Sequence, residues 1–143
     1  MAKWLRAIGY DAATLEGKAA IPQLLALATV ERRTVLTRLK HLQGHRGTPI
    51  ILITSDRVKE QMGELKKVVG IRLTKGRLFS RCLLCNVPVK PVAKEKVKEK
   101  VPSYVFETQE SFSTCPSCKR IYWAATHYDR ALKFLKRVHV NDK

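Results

Sequence analysis

The four cysteines of this chain fall in two Cys-x-x-Cys pairs, Cys82/Cys85 in RCLLCN and Cys115/Cys118 in TCPSCK, with none left over. A Cys-x-x-Cys turn brings two sulfurs onto one ion, and two such turns complete the tetrahedral thiolate set that zinc accepts. Four thiolates close the coordination shell, so an ion held there supports structure rather than chemistry. Two disulfides are the alternative. They belong to small secreted scaffolds, whereas this chain opens MAKWLRAIGYD with no apolar signal segment. Iron also remains open, because sulfur ligation alone does not choose the metal. The 29 residues between the pairs exceed the usual gap, so a hairpin or short helix has to loop out between the knuckles.

Charge constrains the partner. Twenty-eight Lys and Arg against 12 Asp and Glu give +16, and a zinc ion with four thiolates lowers this only to about +14. The excess is shared, with +9 in residues 1–78 and +7 in residues 79–143. Solubility needs far less, so a polyanion is the natural partner and nucleic acid the leading class. No run of 18 apolar residues occurs, which excludes a membrane-spanning helix. Reduced thiols and the lack of a signal segment place the expected compartment in the cytoplasm.

The pattern along the chain predicts an α/β architecture over residues 1–78. Ala2 to Ile8 is spaced as a short helix stopped by Gly9, with Trp4 on its buried side. Tyr10 to Leu15 reads as a short strand. A helix continues the chain from about Lys18 to Arg33 with Pro22 in its first turn. Thr34–Thr37 and Pro49–Thr54 are continuous apolar and β-branched runs, the signature of strands covered on both faces in a parallel sheet. Ser55 or Asp56 caps a helix that runs to Val69 and stops at Gly70. Ile71 to Phe79 returns as a strand or extended connection, with Phe79 buried under the cysteine-bearing ribbon.

Residues 79–143 form the second segment. The lysine-rich VKPVAKEKVKEKVP is a solvated helix or ribbon that Pro102 must end. Tyr104–Phe106 and Ile121–Trp123 read as the strands framing a zinc ribbon. Thr126 opens a last helix with Leu132, Leu135 and Val138 on its apolar side.

MAKWLRAIGYD, the VLTR strand, TSDRVKEQMGEL, FSRCLLCN, the VP after the lysine run and CPSCKRIYWAATH resemble, in that order, the Mut-seven C-terminal RNase-like family. The resemblance implies a PIN-like α/β nuclease domain, a parallel sheet flanked by helices, followed by a C-terminal zinc ribbon and terminal helix. It implies RNA as the partner, tRNA or rRNA among the classes, and Mg²⁺ or Mn²⁺ held by aspartates. Such ions activate water and offset charge on the scissile phosphate, which takes several converging carboxylates. Asp11 stands at the family's GYD position and Asp56 at its SD position, which makes them the candidate catalytic ligands. For Asp56, helix capping explains the residue equally well. Glu60 and Glu64 share a helical face with Asp56, and a solvated face paired with nearby lysines is the preferred reading of both.

The sequence departs from the family pattern in three places. The chain begins within the helix that the family precedes with an aspartate-bearing strand, so the first strand of the sheet is expected to be missing. The aspartate after the family's TR is Leu39, and the second aspartate of its SDD is Arg57. Two carboxylates among Arg38, Lys40 and Arg57 suit phosphate better than a divalent cation, so binding is better supported than cleavage. Arg81, Lys119, Arg120 and His127 extend the expected RNA contacts around the knuckles, with His127 either touching phosphate or packing beside the ribbon. Tyr122 and Trp123 are candidates for base stacking, with a core role for at least one as the alternative.

Overall fold

The computed structural model describes residues 1–15, 20–123, 129, 132–134 and 136–137. In chain order the elements are α1 (Ala2–Ala7), α2 (Ile21–Val30), β1 (Val35–Thr37), β2 (Ile50–Leu52), α3 (Val58–Val69), β3 (Lys90–Val92), α4 (Ser103–Thr108), β4 (Phe112–Thr114) and β5 (Ile121–Trp123). Short 3-10 turns occupy Lys40–Leu42, Lys75–Arg77 and Lys94–Val97. The chain folds as two compact units, one of residues 14–70 and one that joins residues 1–13 to 71–143. None of the described helices is long and apolar enough to cross a membrane.

In the 14–70 unit, β1 and β2 pair in parallel with Val35 opposite Ile50 and Thr37 opposite Leu52. Leu25 and Ala28 of α2 pack on Val35 and Leu42, with Ile21, Leu24 and Ile50 against them. Pro22 lies in the first turn of α2, where its missing N–H has no partner to lose. The helix stops at Val30, short of the expected Arg33, because Arg32 adopts a left-handed conformation at φ 53°. Both strands are shorter than the apolar runs that encode them. Residues 50–52 are half-buried rather than covered on both faces, in a sheet of two strands among the described residues.

Helix α3 buries Gln61, Met62 and Leu65. It ends at Gly70, left-handed at φ 64°, whose N–H returns to the Lys66 carbonyl at 2.9 Å. The expected cap by Ser55 or Asp56 does not form. Arg57 occupies the cap position with no side-chain bond, because Ser55 is drawn to Glu64 and Asp56 pairs with Arg38.

In the other unit, the Ala7 carbonyl accepts the Phe79 N–H at 2.7 Å. Gly9 makes this junction possible: its φ is 86°, and a Cβ there would lie 2.5 Å from the Arg77 carbonyl oxygen. Phe79 itself is half-buried rather than covered. Residues 10–15 are irregular, correcting the expected strand. Tyr10 instead turns inward, its hydroxyl accepting the Arg72 N–H at 3.1 Å and its ring lying under the Arg77 guanidinium at 4.9 Å. Trp4 packs as expected, its ring centroid 4.1 Å from that of Phe134.

Strands β3, β4 and β5 form an antiparallel meander in that order. Val92 pairs with Phe112, and Phe112 with Trp123, which places these three on one face. Phe112 there joins a core of Val97, Val101 and Val105, with Val92, Phe106, Ile121 and Trp123 packed around it. Tyr104–Phe106 belongs to helix α4, not to a strand. The aromatic and β-branched content suggests β, but Pro102 opens a helix whose Val105 is buried against Val97 and Val101 of the preceding turns and Phe112, so burial prevails over local propensity. The second ribbon strand is β4, in a polar stretch, TQESFSTC, that carries little strand signal. Of the terminal helix, residues 129, 132–134 and 136–137 are helical. Thr126, His127, Leu135 and Val138 lie outside the described residues.

Candidate metal centre

Each Cys-x-x-Cys segment folds into the same turn. In the first, the Cys82 N–H donates to the Val87 carbonyl at 2.9 Å, the Asn86 N–H to the Cys82 carbonyl at 3.0 Å, and the Cys85 N–H to Cys82 Sγ at 3.3 Å. In the second, Cys115 donates to Arg120 at 2.9 Å, Lys119 to the Cys115 carbonyl at 3.0 Å, and the Cys118 N–H to Cys115 Sγ at 3.4 Å. The residue after each pair closes the turn in the left-handed region, Asn86 at φ 64° and Lys119 at φ 60°. Asparagine accepts this readily, whereas the lysine carries a strain of about 1–2 kcal/mol.

The two turns bring four free thiols together, with all sulfurs within 4.8 Å of one another and Cys82 Sγ 3.7 Å from Cys118 Sγ. In a tetrahedron with metal–sulfur bonds of about 2.3 Å the sulfurs stand about 3.8 Å apart, so the set can hold a structural zinc ion. Cys82 and Cys115 are fully buried, and Cys118 is exposed. Burial raises the Cys82 thiol, but the Cys85 amide and the Tyr122 hydroxyl, which donate to its sulfur, outweigh that and bring it to about 6. The neighbouring Cys118 sulfur pushes Cys85 up to about 11.

Residues outside the four cysteines hold the first turn. Tyr122 donates its hydroxyl to Cys82 Sγ at 3.0 Å and accepts the Leu83 N–H at 3.2 Å. Burial, then the adjacent Cys82, raises its phenol well above the ordinary range. Strand alternation accounts for the division of labour: Trp123 faces the valine core, so Tyr122 faces the sulfurs. Arg6, buried in α1, donates to the carbonyls of Ala12 at 2.8 Å, Leu83 at 2.8 Å and Leu84 at 2.9 Å. Sequence reasoning misses this role; the only signal is one basic residue among the apolar positions of AKWLRAI.

Asp11 also acts on this turn. Its carboxylate accepts from the Asn86 side-chain amide at 2.6 Å and stands 3.9 Å from the Arg81 guanidinium, which in turn donates to the Asn86 carbonyl. Asn86 Oδ1 accepts the Ala12 N–H at 3.1 Å. In the other unit, Asp56 is exposed and ion-paired with Arg38. Glu64 is neither a solvated face nor a free ligand. Its two oxygens accept the backbone N–H groups and hydroxyls of Thr54 and Ser55, and these bonds, Ser55 foremost, hold its carboxyl down to about 2. Among the described residues, the cysteine set is the only group of three or more His, Cys, Asp or Glu side chains close enough to share an ion. The carboxylates of Asp11, Asp56 and Glu64 each have a protein partner and do not build a hard-cation site of that kind.

Of the expected RNA contacts, Lys40, Arg57, Lys119 and Arg120 are exposed, Arg38 holds Asp56, and Arg81 is committed to Asn86 and Asp11. His127 lies outside the described residues. Beside the knuckles an open groove with a volume of about 600 Å³ runs along β5 between Phe79, Leu83 and Trp123, with Lys100, Lys119 and Arg120 among its lining residues. The family model described as the Mut7-C RNAse domain matches residues 1–135. No curated protein and no solved structure matches the chain.

Proposed function

The chain belongs to the Mut7-C RNAse domain family, and on that premise we propose that it is an RNA-binding protein whose C-terminal zinc ribbon is organised by Cys82, Cys85, Cys115 and Cys118. The 14–70 unit supplies the parallel β1–β2 pair and helices of a PIN-like scaffold. The net charge of +16 supplies the attraction for a polyanion.

One observation carries the emphasis on binding over hydrolysis. The acidic side chains that a divalent-metal nuclease would need are already engaged, Asp11 by Asn86 and Arg81, Asp56 by Arg38, and Glu64 by the Thr54–Ser55 turn. Arg38, Lys40 and Arg57 on the 14–70 unit favour phosphate over Mg²⁺ or Mn²⁺. The family's description as an RNAse domain favours the second reading, a metal-dependent endoribonuclease with Asp11 and Asp56 as its ligands.

Incubation of the zinc-loaded protein with end-labelled single-stranded and structured RNA in Mg²⁺ or Mn²⁺ separates the two. Binding without cleavage gives a shifted complex and intact RNA at all times. Fragments that vanish in both Asp11→Asn and Asp56→Asn would establish the enzyme instead.

A further inference from the structure

We propose that the groove along β5 is a docking track for unpaired RNA, with bases lying on Phe79, Leu83 and Trp123 and phosphates held by Lys100, Lys119 and Arg120. The inference rests on the RNA-binding reading and adds where the strand sits and which part of it is read.

Its volume of about 600 Å³ falls in the range of small-molecule pockets, roughly 300–1,000 Å³. Such pockets, however, enclose their ligand around a few converging polar groups. This one is open, and among the described residues its lining holds three cations and no carboxylate. An apolar floor beside cations matches a single strand, which alternates flat apolar bases with anionic linkers. A duplex matches it poorly, because pairing hides the base faces from such a floor.

The parts of the groove are fixed in place. Trp123 is braced from behind by the valine core and by Phe112, with ring centroids 6.5 Å apart. Phe79 is held in a left-handed conformation at φ 54°, with its N–H on the Ala7 carbonyl. Lys119 and Arg120 leave the second knuckle directly into β5, and the Arg120 carbonyl accepts the Cys115 N–H. The four-sulfur site thus sets the position of two of the three cations. Tyr122, although it also lines the groove, has its hydroxyl on Cys82 and Leu83 and is assigned to the metal turn rather than to the RNA.

The test measures anisotropy of three labelled probes with the full-length zinc-loaded protein: a 12-nucleotide oligouridine, an abasic strand of equal length and charge, and a blunt RNA duplex. The groove predicts that oligouridine binds at least tenfold more tightly than the abasic strand and more tightly than the duplex. Phe79→Ala should weaken oligouridine about tenfold and leave the abasic strand unchanged, as expected for loss of one stacking platform. Lys119→Gln with Arg120→Gln should weaken both strands and lower the salt slope by about two. Zinc content and unfolding midpoint verify that each variant is folded. Should Phe79→Ala destabilise the fold, Phe79→Leu, which keeps apolar volume but removes the ring, gives the same readout. Equal affinity for oligouridine and abasic strand, with no effect of the ring variants, overturns the groove and leaves RNA binding standing. Absence of binding to all three probes overturns both.

Discussion

Tyr122 shows how much of the four-sulfur site is built by residues other than its cysteines. Its hydroxyl is the donor that reaches Cys82 Sγ from another element, and its oxygen satisfies the Leu83 N–H in the same turn. Tyr122→Phe removes both at once and leaves a half-buried amide unpaired, at a cost of about 1–2 kcal/mol. Partners of metal ligands typically contribute about 10–100-fold to metal affinity. A chelator competition should therefore strip metal from Tyr122→Phe about tenfold more readily than from the parent, with the metal stoichiometry unchanged. Equal retention would mean that the bond does not support the site. The cysteines themselves are legible in the sequence, because four thiols in two identical spacings admit few arrangements. Tyr122 is legible only as an aromatic with two uses, since the choice between base and sulfur depends on which face of β5 it occupies. Arg6 and Asn86 are barely legible. Arg6 bonds the carbonyls of Leu83 and Leu84, 77 and 78 residues away, and Asn86 a carboxylate 75 residues away, and backbone acceptors leave no mark in a sequence.

At the level of elements, the turn between β2 and α3 depends on one carboxylate. Glu64 reaches back from the second turn of α3 to four donors on Thr54 and Ser55. Its folded value of about 2 lies below the ordinary 4.5. The stabilisation is therefore complete above about pH 4.5 and is lost as pH falls toward 2. Glu64→Gln should lower stability at pH 7 by about 1 kcal/mol after discounting for solvent screening, and should flatten the decline between pH 4.5 and 2. Denaturant unfolding at several pH values checks this. An unchanged acid slope in the variant would assign the acid sensitivity elsewhere. The apolar runs of β1 and β2 and the Gly70 stop of α3 are readable because period and left-handed glycine are local signals. Helix α4 is not: its sequence favours strand on composition, and the helix follows from tertiary burial of Val105 beside Val97, Val101 and Phe112, which come from other segments. The short strand expected at residues 10–15 fails for a related reason, since Tyr10 and Asp11 are used by Arg72, Arg77 and Asn86 rather than by a sheet.

At the scale of the molecule, the first 13 residues and the cysteine-bearing segment form one compact unit, although 57 residues separate them in the chain. The MAKWLRAIGYD and RCLLCN motifs are therefore parts of one structure: α1 delivers Arg6 to the carbonyls of the first knuckle, and Asp11 clamps its last residue. Asp11 thus has a structural use that stands whether or not it also serves catalysis. The positive charge comes from composition and needs no fold. Where it can be used depends on the fold, because the knuckles place Lys119 and Arg120 beside the apolar strip along β5. If the four-sulfur site organises the RNA-binding face, metal and RNA affinity must rise and fall together. The direct measurement is the affinity for a labelled single-stranded RNA at fixed salt, taken on the metal-loaded protein, after removal of metal by a chelator, and after zinc is restored. At least a tenfold loss is expected on removal, with recovery on restoration. Undiminished affinity in the metal-free protein, with the ribbon shown to be unfolded, would contradict it.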